Sequence, residues 1–91
     1  MMMKPIKTIA YSSHFERAIK KLPASLLKEA AKGERIFRRD CFDPRLHTHK
    51  LHGPQKDLWS FSLTYTYRII FRFLSHDVAY FIDVGDHSIY Q

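Results

Sequence analysis

HKLHGPQKDLWSFSLTYTYRIIFRF, residues 49–73, decides the fold, because two runs within it alternate with a period of two. Apolar side chains take every second position of both runs: Trp59, Phe61 and Leu63, then Tyr67, Ile69, Phe71 and Phe73. Alternation rich in aromatic and β-branched residues is typical of strands with one buried face. We therefore predict two strands separated by a break at Tyr65-Thr66. The opposite face is mostly polar and carries Arg68 and Arg72, which suits an anionic ligand.

The composition indicates one small, basic domain that spans residues 1–91. Lys and Arg number 15 against 9 Asp and Glu, which gives a net charge of +6 with six histidines not counted. Because 45% of the residues are hydrophobic and 14% aromatic, we expect the chain to fold around a single core. A basic balance favours nucleic acid, an anionic surface or an acidic partner.

A lone cysteine, Cys41, excludes an intrachain disulfide and is typical of a reducing cytoplasm, where we expect the protein to act. We interpret Cys41, next to Phe42, as a core residue, with a nucleophile as the alternative. The first residues, MMMKP, lack the apolar run of a signal peptide. No stretch approaches the roughly 18 apolar residues of a membrane span, so we expect no membrane association.

The residues before this stretch predict one strand and two helices. Ile6–Tyr11 alternates as a short strand. Ser13 and Glu16 have the spacing of a capping box, which would begin a first helix. Pro23 ends that helix and opens a second one over about Ala24–Arg39. Lys and Arg crowd the polar side of the second helix, which indicates either an ordinary solvated face or a ridge that tracks phosphates.

Further strands are predicted around and after the central stretch. Leu46–Leu51 begins the sheet section, Gly53-Pro54 forms a turn, and Ser75-His76-Asp77 forms a hairpin turn. In the last strand the residues predicted to share one face are Val78, Tyr80, Ile82 and Val84. The order is β-α-α-β-β-β, an α+β fold with two helices packed on one face of a mostly antiparallel sheet. The other face is expected to be largely bare and free to form a site.

This order of elements, together with four short segments, resembles the RelE/ParE superfamily of bacterial toxins from type II toxin–antitoxin systems. The segments are H-K-L-x-G at 49–53, L-W-S-F at 58–61, Y-R-I-I-F at 67–71 and D-V-G-x-H-x-I-Y at 83–90. The resemblance implies a RelE-like fold and a cognate antitoxin protein as partner. It also implies one of two activities. RelE-like and YafQ-like members are ribosome-dependent mRNA endonucleases, or mRNA interferases, whereas ParE-like members inhibit DNA gyrase without nuclease activity.

RNA cleavage without a metal uses the 2′-OH as nucleophile. It needs a base for that proton, an acid for the 5′ leaving oxygen and a cation for the charge on the phosphate. Arg68 is the candidate cation, because a guanidinium can hold two phosphate oxygens and because it matches the strand arginine of RelE-like nucleases. The alternative for Arg68 is a cross-strand ion pair with Asp83.

His87 follows Gly85 at the position where the family carries a general acid, and its alternative is an exposed terminal histidine. His49 is the first choice for the base, because YafQ-like members have a functional histidine in the corresponding segment. Tyr90 is expected to stack on a base or donate a proton, as the terminal aromatic residue of RelE-like enzymes does, with a hydrophobic tether as its alternative.

RNA contacts are predicted for four further residues: His47, Lys50, Lys56 and Arg72. His47 and His49 form a His-x-His pair with no third ligand nearby, which is a poor zinc signal, so we expect neither a metal nor a small-molecule cofactor. One departure from the family concerns the base. The histidine and aspartate of YafQ-like toxins fall here at about Ser62 and Thr66, and neither of these can serve as a comparable base.

The candidate catalytic residues, His49, Arg68, His87 and Tyr90, favour a ribosome-dependent mRNA endonuclease that acts on mRNA in the ribosomal A site. The alternative is a ParE-like gyrase inhibitor, a binding protein that has no need of a proton donor there. A third possibility is an inactive or antitoxin-binding relic.

Overall fold

The computed structural model describes residues 3–53, 57–86 and 89. The elements are β1 (Thr8–Tyr11), α1 (Ser13–Lys20), α2 (Ala24–Arg39), a 3₁₀ helix (Pro44–Leu46), β2 (His49–Lys50), β3 (Trp59–Ser62), β4 (Arg68–Ser75) and β5 (Val78–Gly85). The strands form one sheet in the order β1-β5-β4-β3-β2. Only the β1–β5 pair of this order is parallel. The predicted α+β fold is confirmed, and α2 has the predicted bounds. No helix in the described ranges is long and apolar enough to cross a membrane.

The first helix is capped by Ser12 and not by the predicted Ser13. The Oγ of Ser12 accepts a hydrogen bond from the Phe15 amide at 2.9 Å and donates one to the Ile82 carbonyl at 2.8 Å. The second bond explains why Ser12, and not the adjacent Ser13, is the N-cap: the hydroxyl of Ser12 also connects the start of the helix to β5. Glu16 therefore stands one position too late to complete the predicted capping box.

Phe37 of α2 lies at the centre of the core, between the helices and the sheet. Its ring centroid is 4.8 Å from that of Phe61, 4.9 Å from that of Phe71 and 5.2 Å from that of Phe81. These partners belong to β3, β4 and β5, and all four rings are completely buried. The burial of Phe71 confirms the predicted register of β4.

The strand β5 contains a bulge, and the predicted facing of its side chains is wrong. Its most deeply buried side chains are Ala79, Phe81 and Val84, while Val78, Tyr80 and Ile82 are only partly buried. Phe71 is opposite Phe81, whereas the preceding Ile70 is opposite Asp83. Ile82 is therefore the extra residue, and the strand changes its facing there. Apolar residues on both sides of β5 hide this shift in the sequence.

Gly33 lets α2 approach the sheet closely. A Cβ atom at this position would lie 2.9 Å from Cδ2 of Leu63, which is closer than packed carbon atoms approach. Glycine in a helix interior costs about 1 kcal/mol relative to alanine. Close packing of α2 against the end of β3 explains why the helix carries it.

The face of the sheet away from the helices is less bare than predicted. Ser60 and Ile70 are paired on this face, yet they are only 0% and 3% exposed. At one end Ile89 lies over Gly85 and occupies the space that a side chain there would need. The accessible part of this face is therefore confined to its margins.

The interpretation of Cys41 as a core residue is confirmed. The residue is completely buried, and burial raises the pKa of its thiol to about 11. The thiol is therefore protonated at neutral pH, and since the thiolate is the reactive form, Cys41 does not serve as a nucleophile.

We expect Phe37→Ala to lower the free energy of unfolding by about 3–5 kcal/mol, because it leaves a cavity between three buried rings. Leu74→Ala is the control, since Leu74 is 52% exposed on β4 and should change stability by less than about 0.5 kcal/mol. Urea unfolding of both variants measures the difference. Equal losses in the two variants would contradict the assigned core.

Candidate nucleic-acid interface

An open cavity of about 540 Å³ lies where β3 leads into β4. Its lining residues are Arg45, His47, Ser62, Leu63, Thr64, Tyr65 and Arg68. The 3₁₀ helix, the residue that follows it and the loop 63–67 thus meet the first residue of β4. We call this space the Arg68 cavity. It unites two cations, two hydroxyls and an exposed aromatic ring, which is a set suited to a nucleotide.

Arg68 stands at the start of β4, opposite Ser62 on β3 and Gly85 on β5. Its Nη1 donates a hydrogen bond to Ser62 Oγ at 2.9 Å. Its Nε is buried and, among the described residues, has no hydrogen-bond partner. A buried donor left without a partner costs about 1–3 kcal/mol. Ser62 therefore holds the guanidinium at the wall of the cavity, where it can meet an acceptor that enters.

The alternative for Arg68, an ion pair with Asp83, is not formed within the described ranges. Asp83 lies on β5 two residues beyond Phe81, where the pairing of β5 with β1 ends. Its Oδ1 accepts a hydrogen bond from the Val84 amide at 2.8 Å and lies 3.0 Å from His14 Nε2. The carboxylate is thus engaged with α1 and its own backbone, which leaves Arg68 to the cavity.

His49 has a defined tautomer. Its Nδ1 lies 2.9 Å from the backbone carbonyl of His47, and because a carbonyl only accepts hydrogen bonds, Nδ1 must carry the proton. In the neutral ring Nε2 then holds the free lone pair, which is the state that a general base requires. His47 supplies this carbonyl from a left-handed conformation with φ of 50°, which non-glycine residues seldom adopt.

Arg45 is fixed at the rim of the cavity by Asp43. Its Nε and Nη2 donate to the two carboxylate oxygens at 3.0 Å and 2.9 Å. The side-chain hydrogen bond from Arg45 is the main cause that lowers the pKa of Asp43 to about 2. The pair therefore stays ionised at any pH at which the protein would act, and part of the Arg45 charge is already matched.

The predicted site residues are only partly brought together. His49 is opposite Ser60, on the sheet face of Arg68, and His47 lines the Arg68 cavity. Lys50 is exposed and is opposite Trp59, which packs on the helix side of the sheet. The adjacent residues His49 and Lys50 of β2 therefore lie on different faces. Arg72 borders a separate depression with Asp57, Trp59 and Phe73. The predicted residues His87, Tyr90 and Lys56 lie outside the described residues.

Sequence reasoning missed two members of this interface. The sequence pattern predicts only a break between strands at Tyr65, which is 92% exposed and borders the cavity. It does not predict Arg45 as part of the site, because no periodicity connects the 3₁₀ helix to β4. The available signal for Tyr65 was an aromatic residue within a short polar loop. Among the residues described, no group of three or more His, Cys, Asp or Glu side chains is arranged to hold a metal ion.

We expect Arg68→Met to leave the free energy of unfolding unchanged or to raise it. The substitution keeps much of the side-chain volume and removes a buried donor that has no partner in the described ranges. Arg72→Met is the control, because Arg72 is exposed on the same strand. Thermal and urea unfolding of both variants provide the measurement. A loss above about 1 kcal/mol for Arg68→Met alone would show that Arg68 stabilises the fold.

No family model matches this chain, and no curated protein matches it. Solved structures do. A YoeB/ParE toxin from Agrobacterium tumefaciens is 16% identical over 89% of this chain and 99% of its own, with a TM-score of 0.75. The RelBE2 toxin–antitoxin complex from Mycobacterium tuberculosis contains a chain that is 19% identical, with coverages of 96% and 97% and a TM-score of 0.76. A chain of the DinJ-YafQ complex from Escherichia coli is 14% identical over 96% of this chain and 97% of its own, with a TM-score of 0.73. The chain therefore has the RelE-like fold of these toxins.

Proposed function

We propose that this protein is the toxin of a toxin–antitoxin pair and a ribosome-dependent mRNA endonuclease that works without a metal. The observation that supports this most is the guanidinium of Arg68, which Ser62 orients at the wall of an open cavity and whose Nε has no hydrogen-bond partner among the described residues. Preorganised donors of this kind stabilise the charge that develops on a phosphate during cleavage.

His49 is the proposed general base. Its Nε2 would remove the proton of the 2′-OH, whose oxygen then attacks the neighbouring phosphorus. The bond from phosphorus to the 5′ oxygen breaks, which leaves a 2′,3′-cyclic phosphate and a 5′-OH. His49 and Arg68 lie on one sheet face, two strands apart and offset by two residues. Strand geometry puts their Cα atoms about 10–12 Å apart, a gap that their side chains and one phosphodiester can fill.

His87 is proposed to protonate the 5′ leaving oxygen, and Tyr90 to stack on a base or assist that proton transfer. The family resemblance supports both roles, and Gly85, which is opposite Arg68, is only two residues before His87 in the sequence. His47 would contact RNA within the Arg68 cavity. The remaining cations, Lys50, Lys56 and Arg72, are proposed to contact flanking RNA.

The proposed partner is a cognate antitoxin with an amphipathic segment. Two of the structurally similar toxins were solved as toxin–antitoxin complexes. In this chain an apolar groove of about 340 Å³ lies between α1 and α2 and reaches the core rings of Phe15 and Phe81. Leu27 stands in this groove and is 40% exposed. Such a groove suits the apolar side of a segment that folds as it binds.

We expect Arg68→Ala to slow mRNA cleavage by about 10²–10³-fold, because it removes charge stabilisation at the phosphate. Loss of the general base in His49→Gln should cost about 10²–10⁴-fold. Arg17→Ala is the control, because Arg17 is an exposed cation of α1 outside the proposed site, and it should change the rate far less. The measurement is the mapping of mRNA 5′ ends on translating ribosomes with each folded variant. If both site variants still arrest growth at full strength, and the cells contain damaged DNA instead of cut mRNA, the nuclease proposal is wrong and the protein is a gyrase inhibitor.

A second expectation concerns the partner. The protein should co-purify with the product of the adjacent gene, and growth arrest should appear only when that product is absent. Leu27→Asp should weaken co-purification, because it puts a charge into the apolar groove, whereas Leu74→Asp on β4 should not. Harmless overproduction of the native protein alone would count against a toxin of either kind.

A further inference from the structure

We infer that Tyr65 stacks on a nucleobase of the RNA whose phosphate Arg68 holds. The Arg68 cavity would then bind a phosphate at one end and a base at the other. This inference rests on the proposed function and deepens it, because it names the part of the substrate that the cavity recognises. It also assigns a specific contact to the loop between β3 and β4.

Tyr65 is the most exposed large apolar residue in the described part of the chain, at 92%. An aromatic ring in water gains by stacking on a flat partner, and every nucleobase offers a flat π-face. The ring stands at the tip of a loop of five residues, 63–67. Its position at the border of the Arg68 cavity turns this exposure into a binding surface.

The loop that presents Tyr65 is held by hydrogen bonds across its base. The amides of Leu63 and Thr64 donate to the Tyr67 carbonyl at 2.9 Å and 3.3 Å. The Tyr67 amide donates to Thr64 Oγ1 at 3.1 Å. A ring carried on a closed loop loses little conformational entropy when it binds, which is the condition for a useful stacking surface.

The surroundings of Tyr65 favour a nucleotide over a protein partner. Leu63 is the other apolar residue that lines the cavity, and the remaining positions carry two arginines, two hydroxyls and the imidazole of His47. A protein interface would need a contiguous apolar patch around its aromatic anchor. A single ring beside the guanidinium of Arg68 instead matches a ligand that has one flat apolar part and one anionic part.

The volume agrees with this assignment. At about 540 Å³ the cavity lies within the roughly 300–1,000 Å³ of sites that bind small ligands. Because stacking tolerates every base, Tyr65 should contribute affinity and position more than sequence preference. The base that it holds would belong to a nucleotide next to the scissile phosphate.

The test is the binding of a labelled RNA hexanucleotide that carries 2′-O-methyl groups and so cannot be cleaved. Fluorescence anisotropy at low salt should show about 5–100-fold weaker binding for Tyr65→Ala. Tyr65→Phe keeps the ring and should bind within about twofold of the native protein. Leu74→Ala is the control, because it removes an exposed apolar side chain outside the cavity.

Abasic oligonucleotides identify the stacked position. Each base is removed in turn, and at one position the native protein should lose as much affinity as Tyr65→Ala loses with the intact RNA. With that abasic RNA, Tyr65→Ala should show no further loss. Native-like binding by Tyr65→Ala, an equal loss at all positions, or no binding by the native protein would each overturn the inference.

Cleavage of mRNA on translating ribosomes separates this inference from the proposed function. If the native protein cuts no mRNA but the Tyr65 results hold, the nuclease fails and nucleobase binding stands. If the native protein cuts mRNA and Tyr65→Ala cuts at the same rate and sites, the nuclease stands and the inference fails. A loss of antitoxin co-purification in Tyr65→Ala with unchanged RNA binding would make this loop a protein-binding surface and also overturn it.

Discussion

The contact of one ring with three strands is the constraint on which the rest of the structure depends. Phe37 packs against Phe61, Phe71 and Phe81, one from each of three adjacent strands, so a single side chain of α2 joins β3, β4 and β5 in the core. The cross-strand row of Ser62, Arg68 and Gly85 lies on the same three strands, so the candidate site and the aromatic core share one framework.

The two faces of the sheet have different roles. The face toward the helices is closed and aromatic, and there burial of apolar surface supplies the stability of a small domain. The other face keeps a histidine whose ring is oriented by a backbone carbonyl and a guanidinium whose buried Nε has no hydrogen-bond partner among the described residues. A buried donor of this kind lowers stability, and its retention is expected at a site that binds a ligand.

The strands of the central stretch could be predicted because each has one apolar face, and α2 because its pattern runs over four turns between Pro23 and Asp40. Prediction failed where two physical choices look alike in sequence. β5 has apolar residues on both faces, so nothing revealed the bulge at Ile82. Tyr65 lies in a loop without a period, so its position beside Arg68 depends on tertiary structure alone.

The parallel pairing of β1 with β5 has a consequence for how the molecule comes into being. The Lys7 amide donates to the Asp77 carbonyl at 2.8 Å, and Thr8 is opposite Val78, so the two strands join distant parts of the chain. Contacts between residues so far apart in sequence close slowly, after local hairpins and helices have formed. Phe81 of β5 covers Phe15 and Phe37, and Gly85 of β5 is opposite Arg68, so the core and the candidate site both need this strand. A nascent chain that still lacks β5 therefore exposes apolar rings and has an incomplete site.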